Sequence, residues 1–214
     1  MPAARDFVLA ILLLLLAIGP LAAEQARAQQ GDFRTLGTFR GALVETAARA
    51  GAPTRVRASR RLAVPCAPVI ETLLDVAGFK RWISFADWSI VAQPEGALPV
   101  MHGSHAMPFP FAMRDYVVAY QSAQGAAFEL SSRSVEQGPK PADGTVRLRV
   151  RSLWSARAAS VASCDVSYEY DGDLGGSFPT FLLEGVWQEE GPKLLEGLLG
   201  EALHRAAGHA GVKQ

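Results

Sequence analysis

Two hydrophobic periods meet in this chain, and their order restricts its folding more than any single motif. From Trp88 to Tyr170 the apolar residues fall in short runs. The runs are broken by Pro94-Glu95-Gly96, by a proline-aromatic stretch at 108–111, by Gln124-Gly125 and by the punctuated segment 138–144. Val146, Leu148 and Val150 alternate with Arg147, Arg149 and Arg151, the two-residue period of a strand with one wet face. Met113 to Gln121 carries Tyr116, Val118 and Tyr120 on one face and Val117 and Ala119 on the other, so both faces of this strand are covered. Beyond Asp173 the period changes. Phe181, Leu182, Val186, Leu194, Leu195, Leu198, Leu199, Ala202 and Leu203 recur near 3.6 residues, the pattern of one long amphipathic helix. Ser177 suits its N-cap and Pro179 its first turn. Gly191-Pro192 removes a backbone bond and predicts a kink near Gln188 to Pro192.

Upstream, Arg55 to Ala63 reads as a strand whose four arginines form a solvated face. Val69, Ile70, Leu73, Leu74 and Ala77 then follow at helical spacing, with Pro68 suited to the first helical position and Gly78 to the end. Phe79 to Phe85 reads as one more helical turn. Gln29 to Ala52 has no clean period and reads as an extension, a first strand or a short helix. Short turns between successive strands favour antiparallel pairing, and a helix that follows them must bury its stripe on the sheet. The expected fold is α+β: a curved antiparallel sheet gripping the C-terminal helix, with apolar space between them.

The N-terminus has the pattern of a secretory signal peptide. Arg5 precedes an uncharged run from Phe7 to Ile18, Gly19-Pro20 breaks it, and small residues offer cleavage after Ala23 or Ala28. A retained anchor would need about 20 apolar residues, which Phe7 to Ala23 falls short of. The expected division is therefore a signal peptide at 1–28, an N-terminal extension or first strand at 29–52, the folded domain at 53–209 and a loose tail at 210–214. An exported chain of about 185 residues is one domain with room for a core.

Several functional classes find no support. Lysine plus arginine and aspartate plus glutamate number 21 each, a balance that argues against nucleic acid as a partner. His102 and His105 fall on opposite faces of a strand, and His204 and His209 lie apart from them in the last helix and its tail, so no metal and no cofactor is expected. There is no Gly-x-Ser-x-Gly, phosphate-binding loop or dinucleotide fingerprint. Cys66 and Cys164 are the two cysteines. They form either a bridge, which an exported protein permits, or two separate buried thiols.

Four short motifs then occur in a telling order. Trp82 follows the first helix. The stretch Pro108-Phe109-Pro110-Phe111-Ala112-Met113-Arg114-Asp115 puts an Arg-Asp pair at the mouth of a central strand. Val146-Arg147 and Trp154 mark a later hairpin, and Asp173-Leu174-Gly175-Gly176-Ser177-Phe178-Pro179 leads into the last helix. Together they resemble the START domain family (steroidogenic-acute-regulatory-protein-related lipid transfer), within the helix-grip superfamily, over Arg55 to Arg205. Leu174 stands where that family has proline, and Ser152 where it has glycine. The resemblance implies a bacterial, exported, periplasmic member that binds and transfers a lipid or other apolar small molecule and is not an enzyme. In cholesterol-carrying members a buried arginine and a buried acid line the cavity. An ungapped count from Arg114 puts those positions at Tyr120 and Met101, which implies a more apolar cavity here.

The expected ligand-binding residues are Met101, Phe109, Phe111, Arg114, Tyr116, Val118, Tyr120, Trp154 and Phe181, with no catalytic residue. Two of these choices stay open in the sequence. Arg114 and Asp115 either clamp the strand end or offer Arg114 to a head group. Phe109, Phe111 and Met113 either pack under the last helix or form a gate that makes transient membrane contact. Trp88, Trp154 and Trp187 read as core before ligand platforms. The alternatives to a lipid carrier are a cyclase or aromatase-like enzyme using His105, Arg114, Tyr116 and Tyr120 in the same cavity, and an envelope interaction module without a ligand.

Overall fold

The computed structural model describes residues 33–49, 52–107, 110–173, 175 and 180–211. The segment read as a signal peptide, Phe109, Ser177 and Pro179 lie outside the described residues. Among the described residues a ten-stranded sheet carries the fold. Its strands are β1 (Arg34–Phe39), β2 (Ala42–Arg49), β3 (Ala52–Leu62), β4 (Asp87–Ala92), β5 (Val100–His105), β6 (Arg114–Gln124), β7 (Phe128–Ser134), β8 (Val146–Arg147), β9 (Arg149–Ser160) and β10 (Ser163–Asp173). The spatial order is β1-β2-β3-β10-β9-β7-β6-β5-β4, antiparallel throughout, with the short β8 pairing parallel to β6. Helix α1 (Cys66–Leu74), a 3-10 turn (Val76–Arg81) and helix α2 (Thr180–Gly211) are the other elements among the described residues. The α+β architecture, a curved antiparallel sheet around a long C-terminal helix, is the one expected.

The structure departs from the sequence reading in four places. Residues 34–49 form a hairpin, joined at Arg40 and Gly41 with φ of 48° and 77°. Positive φ at both central residues is what the tight I′ hairpin turn needs. Helix α1 starts at Cys66, so Pro68 sits inside its first turn, and it ends at Leu74 before Gly78. The strand expected over Val146 to Trp154 is interrupted at Leu148, whose backbone N–H donates to the Asp115 carbonyl at 2.8 Å. Finally, α2 runs through Pro192 as one helix. Gly191 and Pro192 are both buried, so packing offsets the missing backbone bond.

The core joins the inner face of the sheet to α1, the 3-10 turn and α2, with Val44, Val56, Leu62, Leu73, Phe79, Leu130, Leu195 and Leu198 almost fully enclosed. Cys66 and Cys164 are joined by a disulfide with Cα atoms 4.9 Å apart, tying the start of α1 to β10. On the outer face Arg55, Arg57 and Arg61 of β3 are paired as well as solvated. Arg57 meets Glu45 on β2 at 2.8 Å, and Arg61 meets Asp165 on β10 at 2.7 Å. Such cross-strand opposite charges support register.

Candidate functional site

Strand β6 supplies the axis of the site. Its even-numbered residues face α2 and its odd-numbered ones face away. Tyr116, Val118 and Tyr120 therefore enter the space between sheet and helix, where they line a cavity of about 360 Å³. Ser132, Val150, Ser152, Trp154, Tyr168 and Tyr170 continue the wall across β7, β9 and β10. Leu183, Val186, Trp187 and Leu194 of α2 close it, and Phe79, Ile83 and Phe85 form one side. All four tyrosines of the chain and three of its four tryptophans lie in this lining.

The rings form a chain of contacts around the cavity. Tyr116 meets Trp88 at 5.5 Å between centroids and His105 at 6.1 Å; Trp154 meets Tyr168 at 4.5 Å, and Trp187 meets Tyr170 at 5.1 Å. Edge and tilted contacts of this kind add to the area that the rings bury. One glycine makes the arrangement possible. Trp88, Gly103 and Tyr116 are partners in register across β4, β5 and β6. A Cβ on Gly103 would lie 2.6 Å from Cε2 of Tyr116, so only glycine lets that ring lie over the middle strand.

The phenols and the imidazole in the wall are held uncharged. Burial raises the Tyr116 and Tyr120 phenols far above their ordinary value. The Tyr168 phenol is pushed up to about 12 by burial, against the effect of its hydrogen bond with Ser152. The Ser152 hydroxyl is 2.7 Å from that of Ser132. Burial, and then the Arg114 charge, lower His105 below its ordinary 6.5. Beside the carboxylates Glu189 and Glu190, the wall thus offers phenols, hydroxyls and a neutral imidazole, groups that orient a ligand by hydrogen bonds without binding a charge.

Of the residues expected from sequence, Tyr116, Val118, Tyr120 and Trp154 line the cavity. Phe109 lies outside the described residues, and so does the Phe181 side chain. Met101, Phe111 and Arg114 are corrections, because none of them is in the lining. Met101 faces the right side of the sheet by its pairing with Val118, but it is enclosed within the core. Phe111 stays in the loop before β6. The Arg114 guanidinium, on a residue 2% exposed, donates instead to the carbonyls of Ala112 and Gly175. Asp115 points the other way. It accepts two bonds of 2.8 Å from Arg147 and one of 3.1 Å from Nε2 of His102. Burial works to raise its carboxyl, but these bonds and charges outweigh burial and hold it below the ordinary range. The pair is thus a clamp whose two halves serve opposite faces. Sequence reasoning left Trp88 and Trp187 to the core and missed Tyr168, Tyr170 and Gly103. The signal for the strand residues was cross-strand register, which one strand's pattern does not contain, whereas Trp187 lies on α2.

No family model matches the chain, and no curated protein matches it in sequence. Solved structures do. Human STARD10 is 19% identical with a TM-score of 0.71, covering 84% of this chain and 78% of its own. The STAR-related lipid transfer protein from Xanthomonas axonopodis is 21% identical with a TM-score of 0.66, covering 79% and 98%. These likenesses establish the START helix-grip fold. A third match corrects the expectation that the chain is not an enzyme. The Zhui aromatase/cyclase from Streptomyces sp. R1128 shares the fold at 18% identity and a TM-score of 0.56, covering 71% of this chain and 94% of its own. The same architecture carries a catalyst, so the fold gives no ground for excluding catalysis.

Proposed function

We propose that the chain is an exported lipid-binding protein that takes one apolar small molecule into the cavity between its sheet and α2. The observation that carries this reading is the lining itself: every tyrosine and three tryptophans around about 360 Å³ of space, with aliphatic residues between them. That volume lies within the usual range for small-molecule sites. Burial of ligand hydrocarbon drives uptake at roughly 0.8 kcal/mol per methylene before the entropy of binding is charged against it. The lipid transfer proteins that share the fold support the same class of ligand. Export draws support from the N-terminal signal pattern, and from a disulfide of the kind that persists in oxidising compartments. Phe85 both lines the cavity and is exposed, which suits a mouth that meets a membrane surface.

Purification of the mature protein, followed by native mass spectrometry and analysis of its organic extract, tests the reading. A single co-purified apolar ligand is expected, together with uptake of fluorescent single-chain or sterol probes. An empty protein that takes up none of them would refute it. A second reading, catalysis on a polyketide-like substrate in the same cavity, is favoured by the neutral His105 imidazole against Tyr116. Turnover of such a substrate by the purified protein would establish it.

A further inference from the structure

Two nitrogens in the cavity wall have no hydrogen-bond partner among the described residues. They are Nε1 of Trp88 and Nδ1 of His105, and both are buried. Both rings pack against Tyr116, so they belong to one end of the cavity. Unpaired buried polar atoms are costly and rare, and each calls for a partner that the described residues do not supply. The indole N–H only donates, whereas a neutral imidazole carries one donor and one acceptor. A hydroxyl both donates and accepts, so it satisfies this combination with either imidazole tautomer. A carboxylate only accepts, and a hydrocarbon does neither.

Charge and size narrow the ligand further. No lysine or arginine occurs among the described lining residues, which include the carboxylates Glu189 and Glu190. Arg114, the register partner of His105, directs its guanidinium to two backbone carbonyls. An anionic head group would therefore lose its hydration and meet no cation in the lining, because the Arg114 charge that reaches His105 lies outside it and is turned to backbone carbonyls. A cavity of about 360 Å³ lies toward the lower end of the range for small-molecule sites, which suits one chain or a small ring system.

We propose that the Trp88–His105 end of the cavity is a recognition site for the hydroxyl group of an uncharged, single-chain or small-ring lipid. The assignment rests on the lipid-binding reading above. Both nitrogens are covered in the ligand-free cavity, so pairing accompanies ligand uptake, with a small rotation of the His105 and Trp88 rings. The lowered basicity of His105 keeps its imidazole neutral and able to accept.

The test is competition against a fluorescent single-chain probe at neutral pH, using 1-tetradecanol, tetradecanoate and tetradecane. Wild type should bind the alcohol at least about tenfold more tightly than the acid. His105→Phe should weaken the alcohol about tenfold and shift the alkane by less than about twofold. Trp88→Phe, which keeps an aromatic ring but removes the N–H, should act in the same direction. If wild type binds the acid as well as the alcohol, the hydroxyl assignment is overturned while the lipid reading stands. The same holds if both variants keep the alcohol's affinity relative to the alkane. If none of the three displaces the probe and no lipid co-purifies, the lipid reading itself fails. The wild-type comparison decides the matter even where a variant does not fold.

Discussion

Strand β6 begins with two charged residues and continues into two tyrosines, and the two stretches are completed in opposite ways. At the mouth of the strand, Arg114 reaches two carbonyls and Asp115 holds Arg147 and His102. The clamp's charges find their partners inside the protein, and one of those partners, Gly175, lies just before α2. A few residues on, the same face carries Tyr116 with Trp88 and His105 against it, and two nitrogens there have no partner among the described residues. Buried polarity that is satisfied holds a fold together. Buried polarity that is left over marks where another molecule completes the structure. On this contrast the motif that identifies the fold is part of its frame, and the ligand is read by residues that no motif contains.

If the contrast is sound, damage to the frame should lower stability and leave ligand preference alone. The largest effect is expected from the disulfide. Cys66 and Cys164 are 98 residues apart in sequence, and a loop of that size predicts a loss of about 4.7 kcal/mol in the double Cys→Ser variant on the chain-entropy model. Urea unfolding would measure the loss, and the folded protein should still rank its ligands as wild type does. Asp115→Ala comes next. It leaves Arg147 and His102 without their shared acceptor, and a partly exposed pair of this kind predicts about 3 kcal/mol. Lost uptake in an Asp115→Ala protein that is still folded would break the contrast, because it would make the clamp part of the site.

Gly103→Ala crosses between the two regions. The added Cβ must displace the Tyr116 ring, so a loss of about 2 kcal/mol is expected together with weaker probe uptake. A variant as stable and as receptive as wild type would show that the ring does not need to lie over β5. This substitution sharpens the comparison, because here one position serves both packing and the cavity.

The same contrast explains what the sequence disclosed. The change of period after Asp173 and the turn signals between strands dictate a sheet followed by a gripping helix, so the architecture was legible. Tyr116, Val118 and Tyr120 were legible as one face because alternation within a single strand is a local property. Tyr168 and Tyr170 reach the cavity through pairing between distant segments and Trp187 through the docking of α2, neither of which alternation alone reveals. Met101 shows the limit from the other side, since it lies on the correct face yet is covered by core neighbours. The β1–β2 hairpin was obscured because β1 is mostly solvent-accessible and its register shifts between Thr35 and Gly37, which spoils any clean period.

The smallest expected effect separates the regions by pH. In the folded chain His105 lies below its ordinary value of 6.5, through burial first and Arg114 second. On the acid side of 6.5 the unfolded chain therefore takes up a proton that the folded chain does not, and stability declines as pH falls until the folded imidazole itself protonates. Asp115 contributes in a separate and lower window. Its folded value is below the ordinary 3.8, so its stabilisation is present above 3.8 and is lost as pH falls through the folded value. Urea midpoints measured from about pH 7 down to about pH 5 should fall modestly for wild type. The decline should be shallower for His105→Phe, whereas Asp115→Ala should retain the wild-type slope over that range and differ only below it. If His105→Phe follows the wild-type slope, the imidazole titrates alike in the folded and unfolded chains, and the cavity wall does not hold it neutral.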